Sequence, residues 1–129
     1  MRPNVIISVG SFNAAIAIAL GAFAAHGLEQ HLDTHYLQTF KTAGDFHFWH
    51  ALGLILIGLI ARTQTYRACS RIAWLMLVGI ILFCGSLYLL STTGVRWLGW
   101  ITPFGGMAFI LAWLWLGIVT LTHSESNKP

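Results

Sequence analysis

Charge is what this chain has least of. Seven Lys/Arg and four Asp/Glu make up 9% of its 129 residues, whereas about a quarter of the residues in a soluble domain are charged. That scarcity excludes an ordinary water-soluble fold. Cysteine is nearly as rare: Cys69 and Cys84 would stand about 22 Å apart if the intervening residues are helical, beyond disulfide reach, so a disulfide-stapled scaffold is excluded too. The net charge is +3, but no basic stripe or aromatic platform accompanies it, and nucleic-acid binding drops out. At this length, a separate soluble catalytic domain has no room beside the apolar segments.

What remains is hydrocarbon. Hydrophobic residues make up 57% of the chain and the mean hydropathy is +0.73, values that suit a bilayer as solvent. At roughly 20 residues per crossing, one domain of four or five transmembrane helices fits. The expected fold is an all-α membrane protein, a four-transmembrane-helix bundle with a short amphipathic loop helix between helices one and two.

The chain in order predicts spans over residues 5–25, 43–61, 72–91 and 103–122. Val5 to Ala25 would extend about 31 Å as a helix, matching the hydrocarbon core. Its length exceeds the apolar stretch of a secretory signal, so Ala22-Phe23-Ala24 is read as part of an uncleaved anchor and not as a cleavage site. Gly10, Ala14, Ala17, Gly21 and Ala25 recur at steps of four, three, four and four, which predicts a helix-packing face there. Gly85, Gly105 and Gly106 are assigned the same packing role. From His26 to Asp45 the chain carries too much charge for hydrocarbon. Leu28, Leu32, Tyr36 and Phe40 repeat every four residues within that segment, which suits a short interfacial helix. Glu29 and Asp33, however, fall beside that stripe and repel each other at i, i+4, which favours a partly helical loop over a clean surface helix. Trp97 and Trp100 mark a short interfacial hairpin. Thr102-Pro103 reads as an N-cap followed by proline at the first helical position, and the tail from His123 is expected to fray.

Four spans put Arg2, Arg62, Arg67, Arg71 and Lys128 on one side and only Lys41 and Arg96 on the other. The positive-inside rule then predicts cytoplasmic termini. The same topology brings His26, Glu29, His47, His50, Ser86, Tyr88 and Thr102 to one outer layer, the candidate polar cluster.

These residues sit in blocks that resemble a known family. Gly21-Ala22-Phe23-Ala24-Ala25-His26-Gly27-Leu28, Phe48-Trp49-His50-Ala51-Leu52, Leu82-Phe83-Cys84-Gly85-Ser86-Leu87-Tyr88-Leu89-Leu90 and Ile101-Thr102-Pro103-Phe104-Gly105-Gly106 are similar to the four signature blocks of the domain-of-unknown-function 423 family, the YgdD-like small inner-membrane proteins. Ala24 and Cys84 depart from that pattern, which more often shows glycine and serine there. The resemblance implies a multi-pass protein of the bacterial inner (plasma) membrane, with relatives in eukaryotic membranes and no assigned activity.

Each functional pattern has a plainer counterpart. His31 and His35 at i, i+4, with His26, Glu29 and Asp33, could compose a metal site if that segment is helical. No His-x-x-x-Glu-His or Cys-x-x-Cys element sharpens it, so a solvated loop without metal, haem or other cofactor is expected. His50, an ionisable group inside a span, needs a partner or a watery cavity. It is read either as a ligand- or proton-handling group or as an interhelical hydrogen-bonding residue. Ser86 lacks a base and a third group, so no catalytic residue is assigned. The inner arginines suit anionic lipid and orientation equally. The sequence therefore predicts a non-enzymatic structural or accessory membrane component in contact with membrane lipids, as a homo-oligomer or in a larger membrane complex. The alternative is a binding or transport element for a small molecule, ion or lipid, with a pocket at the outer helix ends.

Overall fold

A computed structural model describes residues 1–63 and 66–126. Residues 64, 65 and 127–129, Lys128 of the orientation count among them, lie outside that part. Four helices are long and apolar enough to cross a bilayer: Pro3–Leu28, Thr34–Ile60, Tyr66–Thr93 and Arg96–Thr122. They are spans one to four below. No strand occurs among the described residues.

Span one starts with proline at its first position, where the missing N–H costs nothing. It runs past the predicted Ala25 and ends in a π-helical turn over Ala24–Leu28. The sharpest difference from expectation comes next. No separate loop helix lies between spans one and two, because Asp33 caps a helix that begins at Thr34 and continues unbroken to Ile60. The Asp33 carboxylate accepts from the Tyr36 backbone N–H at 3.1 Å, satisfying one of the free donors of the first turn. The charged residues 35–45 thus occupy the outer turns of span two, which extend beyond the apolar stretch at residues 46–61.

Span three contains a second π-helical segment, Ile80–Gly85, between α-helical parts Tyr66–Gly79 and Ser86–Thr93. Gly94 terminates it in the left-handed region at φ 71°, and its N–H bonds the Leu90 carbonyl at 2.8 Å, a glycine-terminated helix end. A 3-10 turn over Arg96–Trp100 exposes Trp97 and Trp100. The last helix then runs from Thr102 to Ser126, so the helix continues through the segment expected to fray from His123.

Span one packs chiefly on span two, span four on span three, and spans two and three join the pairs. Ile6, Leu54, Ile57, Cys69, Ile72, Met76, Cys84, Phe109, Ala112 and Leu116 fill the centre. The seam of span one is not quite the predicted one. Ile6, Gly10, Ala17 and Ala24 are buried, with Asn13 and Leu20 half-buried between them, alternating steps of four and three as in a left-handed coil. Gly21 and Ala25 are exposed, because at 3.6 residues per turn they lie about 40° and 80° round from Ala17 while Ala24 stays within about 20° of it. Ala14 is half-buried at the seam's flank.

Close approach is real at Gly10, where a Cβ would meet the Ala51 carbonyl oxygen at 2.8 Å, and at Gly105, where it would strike the backbone of Phe83. Gly106 makes ordinary contact with the Phe83 ring, whereas Gly85 has nothing within 4 Å, so its predicted packing role is not what this structure gives it. Gly85 is half-buried at the end of the π-helical segment.

Candidate functional site

The most connected polar group in the bundle is built by three spans. His47, midway along span two and only 5% exposed, lies between Asn13 of span one and Tyr88 of span three. Its Nε2 is 3.0 Å from Asn13 Oδ1 and its Nδ1 is 3.3 Å from the Tyr88 hydroxyl. The amide oxygen can only accept, so Nε2 carries the proton and donates; Nδ1 of the neutral ring then accepts from the Tyr88 O–H. Asn13 Nδ2 in turn donates to the Val9 carbonyl at 2.8 Å. Every group in the chain has a partner, as burial in a medium without water demands.

Two further polar contacts flank this network. The Ser86 and Thr102 hydroxyls are 2.7 Å apart and tie span three to span four. The Thr102 hydroxyl also reaches the Leu98 carbonyl at 3.5 Å, so it serves the interhelical contact and the preceding turn, not the N-cap expected of it. His50, 7% exposed, bonds the Phe46 carbonyl of its own helix through Nδ1 at 2.6 Å. Its ring stacks on Phe109 of span four, centroids 3.5 Å apart and planes 15° from parallel.

Of the predicted outer cluster, then, His47 meets Tyr88, Ser86 meets Thr102, and His50 sits apart among aromatic rings. His26 and Glu29 do not join them; both are exposed, His26 in the last turn of span one and Glu29 just past its end. The cause is the early start of span two: His47 stands about 20 Å along the axis from Thr34, well below the level of residues 26–33. His31 precedes the Asp33 cap and bonds the Gly27 carbonyl through Nδ1 at 2.8 Å, so His31 and His35 share no helical face. Among the described residues no three His, Cys, Asp or Glu side chains converge as metal ligands would.

Asn13 is the residue that sequence reasoning missed. Its signal was there, a lone amide inside an apolar span, which in hydrocarbon needs a partner.

Clefts open at either end of the pair formed by spans one and two. One, of about 470 Å³, lies between the outer halves of spans one and two and is lined by residues including Gly21, Ala24, Phe40, Lys41, Asp45 and Trp49. Gly21 lines this opening, where an added Cβ would meet nothing within 4 Å. The other, of about 600 Å³, lies at the opposite end, lined by Arg2, Pro3, Asn4, Val5, Ala61 and Arg62. His47 and His50 line neither.

Four long apolar helices, with His47 bonded to two neighbouring spans and Ser86 paired with Thr102, define a small multi-pass helical membrane protein. A family profile described as "Protein of unknown function (DUF423)" matches residues 20–106, and the chain belongs to that family. It is 42% identical over 121 residues to the UPF0382 membrane protein YwdK of Bacillus subtilis, covering 93% of this chain and 98% of the relative. A UPF0382 membrane protein of Staphylococcus epidermidis is 46% identical over 118 residues, 92% of this chain and 96% of its own. The UPF0382 membrane protein SSP2132 of Staphylococcus saprophyticus is 44% identical over 117 residues, 91% and 97% respectively. No solved structure matches. The family is one of unknown function and indicates no catalytic activity.

Proposed function

We propose that this protein is a non-catalytic structural or accessory component of the bacterial inner (plasma) membrane, with both termini cytoplasmic, whose polar interior holds its helices together. One observation carries the reading: both ring nitrogens of His47, the imidazole that three spans share, are engaged within the bundle. A metal ion or small molecule binding that ring would have to displace Asn13 or Tyr88 and leave a buried polar group unpaired. The orientation is supported by Arg2, Arg62, Arg67 and Arg71 at one end against Lys41 and Arg96 toward the other. Gly10, Ala17 and Ala24 of span one are already packed on span two, so self-association or entry into a larger complex would use other, lipid-facing surfaces.

Native mass spectrometry of the full chain released from mild detergent tests this reading. The expected spectrum shows the protein, as one copy or a defined oligomer, with lipid adducts alone. A retained metal, or a small molecule lost on His47→Leu substitution in a variant that stays folded, would overturn it.

A further inference from the structure

We infer that the cleft between the start of span one and the end of span two is a binding site for the phosphate of an anionic phospholipid, held between Arg2 and Arg62.

Arg2, Pro3, Asn4, Val5, Ala61 and Arg62 line the cleft, so among the described residues it is lined by two arginines and no carboxylate. Three of the chain's four acids, Glu29, Asp33 and Asp45, belong to the segment at the other end, and Glu125 is on the last helix. Two like charges facing one cleft repel unless an anion lies between them. Guanidinium is the side chain whose planar fork matches phosphate oxygens two at a time.

The fold also arranges the arginines. At Gly58 the helices nearly touch, since a Cβ there would fall 2.6 Å from the Ile7 side chain and 3.1 Å from the Pro3 carbonyl oxygen. That contact sets the beginning of span one beside the end of span two, so residues 60 positions apart share a rim. Arg62 Nη2 donates to Asn4 Oδ1 at 2.9 Å, which aims the guanidinium along the rim and leaves its other donors free among the described residues. No side chain supplies a cap hydrogen bond at the start of span one, so the positive end of that helix adds to the same field.

Depth selects a lipid over a soluble anion. Both arginines flank helix ends, Arg2 directly before Pro3 and Arg62 directly after the Ala61 cap, the level at which headgroups lie. Pro3, Val5 and Ala61 share the lining with the arginines and offer apolar surface to the glycerol and upper acyl chain. Basic clefts between transmembrane helices are suited to such headgroups. The assignment requires only that the chain be a membrane protein, and it stands or falls separately from the non-catalytic reading.

The test is native mass spectrometry of delipidated full-length protein titrated with dioleoylphosphatidylglycerol or dioleoylphosphatidylcholine, which differ in net charge and not in chains. The wild-type protein should bind its first phosphatidylglycerol about thirtyfold more tightly than phosphatidylcholine. Arg2→Gln/Arg62→Gln should reduce that preference to near unity, and Asn4→Ala should reduce it by about threefold through loss of Arg62 positioning. Arg67→Gln, which removes a charge at the same end but outside the cleft, should retain it. Circular dichroism melts of each variant establish that the helices are intact; should the double variant unfold, Asn4→Ala against Arg67→Gln decides. Equal binding of both lipids, an Arg67→Gln loss as large as that of the cleft variants, or displacement of phosphatidylglycerol by millimolar inorganic phosphate would overturn the assignment.

Discussion

His47 donates through Nε2 to the side-chain oxygen of Asn13 at 3.0 Å, joining the first two spans in the interior of the bundle. Because Tyr88 satisfies the other ring nitrogen, the imidazole links three helices at once. Asn13→Leu removes the acceptor and leaves a buried N–H unpaired, which should lower stability by about 1–2 kcal/mol. His47→Leu should cost a similar amount, and the double variant less than the sum. Reversible unfolding in mixed micelles measures the cycle; additive effects would mean that the two side chains are not coupled.

Gly10 and Gly21 belong to one predicted stripe but have opposite surroundings. A Cβ at Gly10 would lie 2.8 Å from both the Ala51 carbonyl oxygen and the Ile55 side chain, whereas Gly21 has nothing within 4 Å. Gly10→Ala should therefore destabilise by about 1–3 kcal/mol through forced separation of the helices. Gly21→Ala should stay within about 0.5 kcal/mol of wild type. The same unfolding assay ranks them, and equal costs would refute the seam described above.

Cys69 and Cys84 are 0% and 1% exposed and unbonded. Neither thiol should react with N-ethylmaleimide in the folded, detergent-solubilised protein over a period in which a denatured control is fully alkylated. Intact-mass measurement reads the result directly. Rapid labelling of Cys84 would require solvent inside span three that this packing does not admit.

Single-cysteine variants test orientation. His35→Cys and Arg67→Cys, made on a background lacking Cys69 and Cys84, should be labelled by a membrane-impermeant maleimide from opposite sides of the bilayer, with Arg67→Cys reached from the cytoplasm. Labelling of both from one side would overturn a four-span topology.

Much of this arrangement was legible in the sequence for a simple reason: hydropathy averaged over a span is a strong signal, and four spans fix which helix ends share a level. Ser86 and Thr102 could be placed together on that basis alone. Local chemistry was weighed less well. The Asp33 cap moved the start of span two to Thr34, nine residues before the predicted 43, because one carboxylate bonded to a backbone N–H counts for more in starting a helix than the charges that follow count against it. That shift carried His26 and Glu29 away from His47. Asn13 was lost in the average of an apolar run, where a single amide barely changes the hydropathy yet dictates a partner. The departure of Gly21 and Ala25 from the seam needed a three-residue step that small-residue spacing does not reveal.

Span three contains one residue more than a regular helix of the same rise would need, since a π-helical turn is in effect a single inserted position within an α-helix. Ile80–Gly85 holds that surplus. Deleting one residue there and relaxing the turn to a regular α-helix would leave Ser86 facing Thr102 and Tyr88 facing His47, because the wider turn already absorbs the surplus position. Inserting a further residue, with no such turn to take it up, would swing everything beyond it by about 100°. Span three should therefore tolerate a single deletion within Ile80–Gly85 far better than a single insertion.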